Sequence, residues 1–267
     1  MPMKNKQILM KFVSLTTVCS ILVPLVIICI WAVAMRWSWP DLLPVALSTR
    51  GISELFSSHS GALQVLLSSI ALSLLAAFFA TAIGYMSAHA FALYDFWGKS
   101  LLRFGSMLPL IVPANVFAMG IHVSFIRWNL IDTFLGVLIC HVLYSLPYTI
   151  SLLTEMKVSI GDKYEQQASV LGCSSIKSFL LITLPITLPA MFSAFSMAYI
   201  ISFSQYFLTM LIGGGKIKTF SVIMVPFISG GDRTIASSYA LMFLGSSLLV
   251  FLLFEYVVKK LVVGYKG

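Results

Sequence analysis

Charged residues are scarce in this chain: only 10% of its 267 residues are Asp, Glu, Lys or Arg. A soluble domain carries charge on roughly 25% of its residues. Apolar residues instead make up 59% of the chain, and the mean hydropathy is +0.99. This composition excludes an ordinary soluble domain and is typical of a protein whose solvent is mostly lipid. Because no hydrophilic stretch is long enough for a second folded domain, we predict one membrane domain over residues 1–267.

Motifs for catalysis, metal binding and nucleotide binding are also missing from the sequence. The cysteines Cys19, Cys29, Cys140 and Cys173 lack metal-ligand spacing and are read as small apolar residues. Neither H-E-x-x-H nor G-x-S-x-G occurs, which removes the usual signs of a zinc hydrolase or a serine nucleophile. No G-x-x-x-x-G-K-[ST] phosphate loop is present either. We therefore predict no catalytic residue, no metal and no cofactor in this chain.

Long apolar runs are what the chain has in abundance. A membrane-spanning helix needs about 20 mostly apolar residues. Six runs qualify: Phe12–Met35, Ala62–Tyr94, Phe104–Ile126, Leu135–Thr154, Ile182–Ile212 and Ile235–Val258. The first is too long for a signal-peptide core and is expected to be an uncleaved span. The sequence thus predicts an all-α membrane protein of about six transmembrane helices, kinked where Pro24, Pro113, Pro147 and Pro189 interrupt helical hydrogen bonding.

The positions of the basic residues indicate the orientation of these spans. The net charge is +8, but Lys and Arg flank the apolar runs and form no stripe, so no nucleic-acid partner is predicted. With the N-terminus in the cytoplasm, eleven basic residues are cytoplasmic and six are outside. Basic residues concentrate on the cytoplasmic side, so we predict that both termini are cytoplasmic.

One cytoplasmic loop is long, with about 27 residues from Glu155 to Leu181. Asp162 is placed to cap a helix that begins at Lys163, and Glu165 follows three residues later, as in a capping box. Gly172 is expected to end this helix, because glycine adopts the left-handed conformation at little cost.

The two sides of Gly172 both have an amphipathic pattern. Tyr164, Ala168 and Leu171 are spaced to share one helical face. Ser174 or Ser175 is placed to cap a second short helix. Such short helices are marginal alone. They need a groove, which either this protein or a partner can supply.

The segment from Gln166 to Pro189 resembles the cytoplasmic EAA motif of permease subunits of bacterial ABC importers. Ala168 matches the second alanine of that motif, Gly172 matches its glycine, and Phe179 with Ile182–Pro185 matches its apolar tail. The chain departs from the motif at Gln166 and Gln167, which stand where Glu and the first alanine are usual, and Glu165 lies one residue earlier.

This resemblance implies a fold, a function and partners. It implies a type I ABC importer permease (MetI-like) bundle in the bacterial plasma membrane, forming half of the path for a small solute. The elbow at Gly172 would be the coupling helix, which docks on a dimeric ABC ATPase that binds ATP and Mg. A second permease chain, identical or related, and an extracytoplasmic solute-binding protein would complete the assembly. The implied coupling residues are Glu165, Gln166, Ala168, Ser169, Leu171, Gly172, Ser174 and Phe179.

The outer loops carry a further resemblance. Gly213–Lys216 and the stretch around Asp232 look like the equivalent segments in permeases of the polyamine, thiamine and ferric-iron branch. The outer loops, with Arg36, Arg50 and Arg233, would then receive the loaded binding protein.

Polar residues inside the spans are candidates for the translocation path, because they are costly in lipid and face the bundle interior. We expect some of Asn115, His141, Ser204 and Gln205 to contact solute or form the gate. Hydrogen bonding between helices is the alternative role for the same residues.

Two other function classes fit a multi-span chain. An ATP-independent channel or secondary transporter would need intramembrane charges for ion coupling, and every acidic residue maps outside the span centres. A membrane-embedded enzyme would need a nucleophile with a base, or metal ligands, near one interface. The importer subunit is therefore the favoured interpretation.

Overall fold

The computed structural model of the chain describes residues 2–37, 41, 43–57 and 59–264, and helices form most of this part. In chain order they are α1 (Pro2–Ala32), α2 (Arg50–Phe56), α3 (Ala62–Leu93), α4 (Lys99–Ile111), α5 (Ala114–Arg127), α6 (Phe134–Ile160), α7 (Lys163–Val170), α8 (Ser175–Ser178), α9 (Leu184–Phe203), α10 (Phe207–Gly213), α11 (Phe220–Ser229) and α12 (Arg233–Gly264). A π-helical turn, Phe179–Thr183, joins α8 to α9, and two short strands, β1 (Ala34–Arg36) and β2 (Ala46–Leu47), pair antiparallel. The predicted all-α class is confirmed.

Within the described residues, five helical segments are long and apolar enough to cross a membrane: Met10–Ala32, Ala62–Leu93, Phe134–Ile160, Ser175–Phe203 and Arg233–Lys260. The count reaches six if the bent pair of α4 and α5 is one crossing. The number agrees with the prediction of about six spans.

The third predicted span, Phe104–Ile126, is not one helix. Its two halves, α4 and α5, meet at an angle of 113°. The break lies at Val112, which is extended with φ −81° and ψ 134°, because the ring of the following Pro113 disfavours the helical region. The predicted interruption at Pro113 is confirmed and is larger than a kink. In contrast, α1, α6 and α9 continue through their internal prolines.

The fifth predicted span, Ile182–Ile212, is also wrong as a single helix, because α9 ends at Phe203 and α10 begins four residues later. At this break the carbonyl of Gln205 accepts hydrogen bonds from Thr209 Oγ1 at 3.0 Å and Ser221 Oγ at 2.7 Å. Side chains thus hydrogen-bond the backbone where an apolar solvent cannot.

The described chain divides into two compact units, and the first is formed by Met1–Leu63 with Ile223–Gly245. In this unit a side chain at the start of α12 bonds the first residue of β1. Thr234 Oγ1 donates to the carbonyl of Ala34 at 2.7 Å. The single membrane domain predicted for residues 1–267 stays a prediction.

The second unit comprises Gln64–Val222 with Ser246–Gly267. Helix α6 is central to it and contacts α4, α9 and α10. Thr149 of α6 donates to the carbonyl of Ala80 in α3 at 3.0 Å. Small residues such as Ala80 and Gly84 allow this close approach, as is usual between helices in lipid.

Replacing Gly84 by alanine is expected to destabilise the second unit. An added Cβ would lie 2.5 Å from Thr149 Oγ1 and 2.8 Å from Thr149 Cβ, so α3 and α6 would have to separate. Overpacking of this kind costs about 1–3 kcal/mol. The free energy of unfolding, measured by detergent titration, should fall by that amount. Gly120→Ala is the control, because its added Cβ meets no atom within 4 Å; equal losses in both variants would contradict the close packing.

Candidate functional site

The segment that carries the EAA resemblance folds as a helix, a glycine turn and a second short helix. Since α6 continues to Ile160, the predicted loop begins at Gly161 and not at Glu155. Helix α7 begins at Lys163, as predicted, and Gly172 has φ +79°. The left-handed glycine predicted from the sequence is confirmed.

Two backbone hydrogen bonds close this turn. The amide of Cys173 donates to the carbonyl of Ala168 at 2.9 Å, and the amide of Gly172 donates to that of Ser169 at 3.0 Å. This pair is the Schellman motif, which uses carbonyls that the helix end leaves free. The elbow is therefore a defined turn with its own hydrogen bonds.

The predicted capping of both helices is wrong. The side chain of Asp162 makes no cap hydrogen bond and instead accepts one from Gln166 Nε2 at 2.6 Å. Ser174 precedes α8 with an extended backbone, and its side chain also makes no cap hydrogen bond. Asp162 does not cap α7 because its carboxylate is bonded by the side chain of Gln166, which lies one turn along the same helix.

The end of α7 presents an apolar surface to solvent. Val170 and Leu171 are 88% and 86% exposed, and Ile176 of α8 is 74% exposed. The position of a Cβ on Gly172 has no atom within 4 Å. We call Val170, Leu171, Gly172 and Ile176 the elbow tip. It is outside the helices that are long enough to span a membrane, apart from Ile176 at the start of one.

The predicted coupling residues fall into an outward and an inward set. The exposed set consists of Gln166, Ser169, Leu171, Gly172 and Ser174. Phe179 is 38% exposed, and its ring packs edge to face on Tyr85. Ala168 is buried at 4% exposure, and Glu165 is partly buried. The expected common face of Tyr164, Ala168 and Leu171 is therefore wrong, because α7 ends at Val170 and Leu171 already belongs to the turn.

Glu165 makes contacts that link α7 to the spans. Its Oε1 lies 3.4 Å from Lys157 Nζ and accepts a hydrogen bond from Thr183 Oγ1 at 2.8 Å. Lys157 is fully buried, and its ammonium lies 5.3 Å from the centre of the Tyr85 ring. Sequence reasoning missed these partners, since Lys157 looks like any basic residue that ends an apolar run.

A groove of about 430 Å³ lies beside α7 in the second unit. Both α3 and the coupling segment contribute to its lining, which consists of His89, Leu93, Tyr94, Asp162, Glu165, Gln166, Ser169 and Val170. The groove gives this segment a concave surface next to the convex elbow tip.

Among the predicted path residues, His141 is the one that the fold surrounds completely. It is fully buried, with Nδ1 2.8 Å from Ser202 Oγ and Nε2 2.8 Å from Thr209 Oγ1. Through Thr209 it is connected to the carbonyl of Gln205. His141 thus joins α6 to both sides of the break between α9 and α10.

The other predicted path residues are more accessible. Asn115 is exposed in the first turn of α5, Ser204 is exposed at the end of α9, and Gln205 is half-buried in the break. Their role in a path stays a prediction. Within the described residues, no group of three or more His, Cys, Asp or Glu side chains could hold a metal ion.

A second polar site lies in the first unit. Arg50 forms an ion pair with Asp232, and the guanidinium of Arg233 lies 5.2 Å from the centre of the Trp31 ring. These residues line a pocket of about 530 Å³. The side chain of Arg36, also predicted for this surface, is outside the described part of the structure.

The chain is similar to known transport proteins. The sequence profile of the family described as binding-protein-dependent transport system inner membrane component matches residues 80–263. The molybdate/tungstate transport system permease protein WtpB of Pyrococcus abyssi is 25% identical over 195 residues, covering 73% of this chain and 76% of that protein. The spermidine/putrescine transport system permease protein PotC of Haemophilus influenzae is 23% identical over 219 residues, covering 80% and 85%.

A solved structure shares the fold. The crystal structure of a bacterial ABC transporter involved in the import of the acidic polysaccharide alginate matches with a TM-score of 0.66 and 15% identity, over 96% of each chain. At this identity the match shows a shared fold, and it covers nearly the whole chain.

Cysteine labelling should distinguish the outward from the inward side of α7. In a variant whose four native cysteines are replaced by alanine, a cysteine at Leu171 should react with a water-soluble maleimide much faster than one at Ala168, because thiol access limits such reactions. The two labelling rates, measured on the chain alone in nanodiscs, give the comparison. Equal rates would mean that the elbow tip is covered by its own chain.

Proposed function

The chain belongs to the family of inner membrane components of binding-protein-dependent transport systems, and we propose that it drives import by docking a separate ATPase at the elbow tip. It is a membrane-spanning subunit of an ABC importer and not itself an enzyme. The observation that carries the docking proposal is the exposure of Val170, Leu171 and Ile176 around a left-handed glycine.

The physical case for a partner at the elbow tip comes from its composition. Large apolar side chains at an exposed turn gain free energy when a partner buries them, at about 25 cal/mol per Å² of apolar surface. Gly172 adds a place where a partner backbone can approach, because no residue beyond its two chain neighbours has an atom within 4 Å of the position of a Cβ. A short helix held in a partner's groove is a common docking mode.

ATP hydrolysis is assigned to that partner. The sequence contains no phosphate loop, so ATP and Mg would be bound by an ABC ATPase dimer. Two elbows, one from each of two permease chains, identical or related, would engage the dimer. The elbow and both termini then lie on the cytoplasmic side, as the basic residues predict.

The outer loops are proposed to receive the solute-binding protein. Arg233 has its guanidinium over Trp31 and shares a pocket with the ion pair of Arg50 and Asp232. Aromatic and Arg side chains at an open pocket are favourable contacts for a protein partner. The relatives named above carry molybdate or tungstate and spermidine or putrescine, so these solutes are the first to screen for this chain.

The translocation path is proposed to pass the break between α9 and α10. Ser204 and Gln205 lie there. The His141 ring hydrogen-bonds Ser202 on one side of the break and Thr209 on the other. His141 is fully buried, which supports a positioning role for it in this conformation and leaves the accessible contacts to the break itself.

Co-purification tests the proposed docking. The chain, extracted gently from its native membrane, should retain a stoichiometric ATPase, identified by mass spectrometry. Gly172→Leu should lose that ATPase while the chain stays inserted, because leucine at φ +79° is strained and its side chain would enter the proposed interface. Gly172→Asn is the matched control, since asparagine tolerates the left-handed conformation. A Gly172→Leu chain with normal ATPase retention and uptake would remove the elbow from the mechanism.

Gln205→Leu should lower uptake of the transported solute without affecting ATPase retention. Only the side chain changes, because the carbonyl of Gln205 makes the hydrogen bonds that hold the break. Uptake into reconstituted vesicles, with molybdate and spermidine as the first solutes, measures the effect. Unchanged uptake and selectivity would exclude this side chain from the path. Ser193→Ala serves as control, because the Ser193 hydroxyl donates to the carbonyl of Pro189 in its own helix, α9.

A further inference from the structure

We propose that Glu165 is a positioning residue that transmits movement of α7 to α6 and α9 through Lys157 and Thr183. The proposal rests on the proposed coupling role of α7 and adds the route by which its displacement reaches the spans. It gives Glu165 an intrachain task, whereas the resemblance to the EAA motif suggested a contact with the ATPase.

The buried ammonium of Lys157 explains why Glu165 must stay in place. Lys157 is fully buried at the end of α6. Among the described residues, Glu165 supplies the carboxylate within 4 Å of its Nζ, at 3.4 Å. A buried charge without a partner is strongly destabilising, so moving α7 away from α6 carries a large penalty. Displacement of α7 therefore carries the end of α6 with it.

Thr183 connects the same carboxylate to the next span. Its Oγ1 donates at 2.8 Å to Glu165 Oε1, the oxygen that also faces Lys157. Thr183 is buried and closes the π-helical turn Phe179–Thr183 that leads into α9. Single π-helical turns inside helices are frequently found at functional sites, because their backbone register differs from that of the helix on either side. The Oε1 atom of Glu165 in α7 is thus hydrogen-bonded to the residue that precedes α9.

A third helix joins the same cluster. The Tyr85 ring of α3 lies 5.3 Å from Lys157 Nζ and packs edge to face on Phe179, with ring centres 6.2 Å apart. Contiguous packed and charged groups of this kind can carry coupling between sites when an element has two arrangements. We assign the two arrangements to the π-helical turn Phe179–Thr183.

Glu165 is poorly placed for a partner. Its side chain is only 32% exposed, and its Oε1 already has two neighbours within this chain. Gln166 and Ser169, in contrast, are exposed on the same helix. The helix therefore separates two tasks, with partner contact on one side and transmission on the other.

Thr183→Val is the sharpest test, because it removes one hydroxyl and keeps both charges. In the full chain alone in nanodiscs, amide hydrogen exchange at Phe179–Thr183 and in α7 should become about tenfold faster, as expected for losing a hydrogen bond to a charged group. Thr183→Ser should restore the exchange rates. Thr187→Val is the matched control: Thr187 is also buried, one turn later, and its hydroxyl bonds the carbonyl of Leu184 and the sulfur of Met191, both in its own helix.

The second arm uses the chain with its co-purifying ATPase, with and without ATP and vanadate. In the unchanged chain, trapping should alter exchange in both α7 and α9. In Thr183→Val the ATPase should remain bound and α7 should still respond, while the response of α9 is lost. If Thr183 had a merely structural role, amide hydrogen exchange would be faster in all conditions, and exchange in α9 would still change when ATP and vanadate are added.

A charge cycle supplies the independent check. Glu165→Gln should lower the thermal midpoint more than the double variant Lys157→Met/Glu165→Gln, because only the single variant leaves a buried ammonium unpaired. Equal midpoints for the two variants would overturn the ionic part of the proposal. Unchanged exchange in Thr183→Val would overturn the whole link, whether or not an ATPase is bound. If the unchanged chain retains no ATPase, the docking proposal fails, while the exchange of the chain alone still decides the link.

Discussion

A lipid solvent offers the peptide backbone no hydrogen-bond partner, and this constraint shapes the whole chain. Long helices satisfy it directly, and each departure from a helix must find a substitute. At the break after α9, Thr209 and Ser221 hydroxyls bond the carbonyl of Gln205. The turn at Gly172 lies outside the long apolar helices, and there backbone amides bond the carbonyls of the last turn of α7. The two features proposed above to serve transport, this turn and the break after α9, are thus both places where the regular helical pattern ends.

The same constraint separates what is rigid from what can change. The α3 and α6 pair is packed through small residues with no room for an added methyl group at Gly84. The π-helical turn before α9 has the less regular backbone, and it is held from outside by Thr183 and Glu165. In the coupling proposed above, a force applied at the elbow would pass through stiff helices to a part of the chain whose backbone can change.

Local features of the site could be predicted from the sequence, and nonlocal ones could not. The start of α7 at Lys163 and the left-handed Gly172 depend on neighbouring residues, and both predictions were correct. The contact of Glu165 with Thr183 spans 18 residues and that of His141 with Thr209 spans 68, so neither follows from a periodic pattern. Pro113 indicated an interruption, but the angle of 113° between α4 and α5 depends on tertiary packing. The capping box failed because Gln166 competes for the side chain of Asp162.

The first unit has a consequence for biosynthesis. It joins the N-terminal segment to residues that are synthesised about 200 positions later, as the hydrogen bonds from Thr234 to Ala34 and from Ser238 to Ala32 require. The ribosome synthesises residues 64–222, which belong to the second unit, before these hydrogen bonds can form. The end of α1 therefore acquires these hydrogen-bond partners only after the intervening segments have been synthesised.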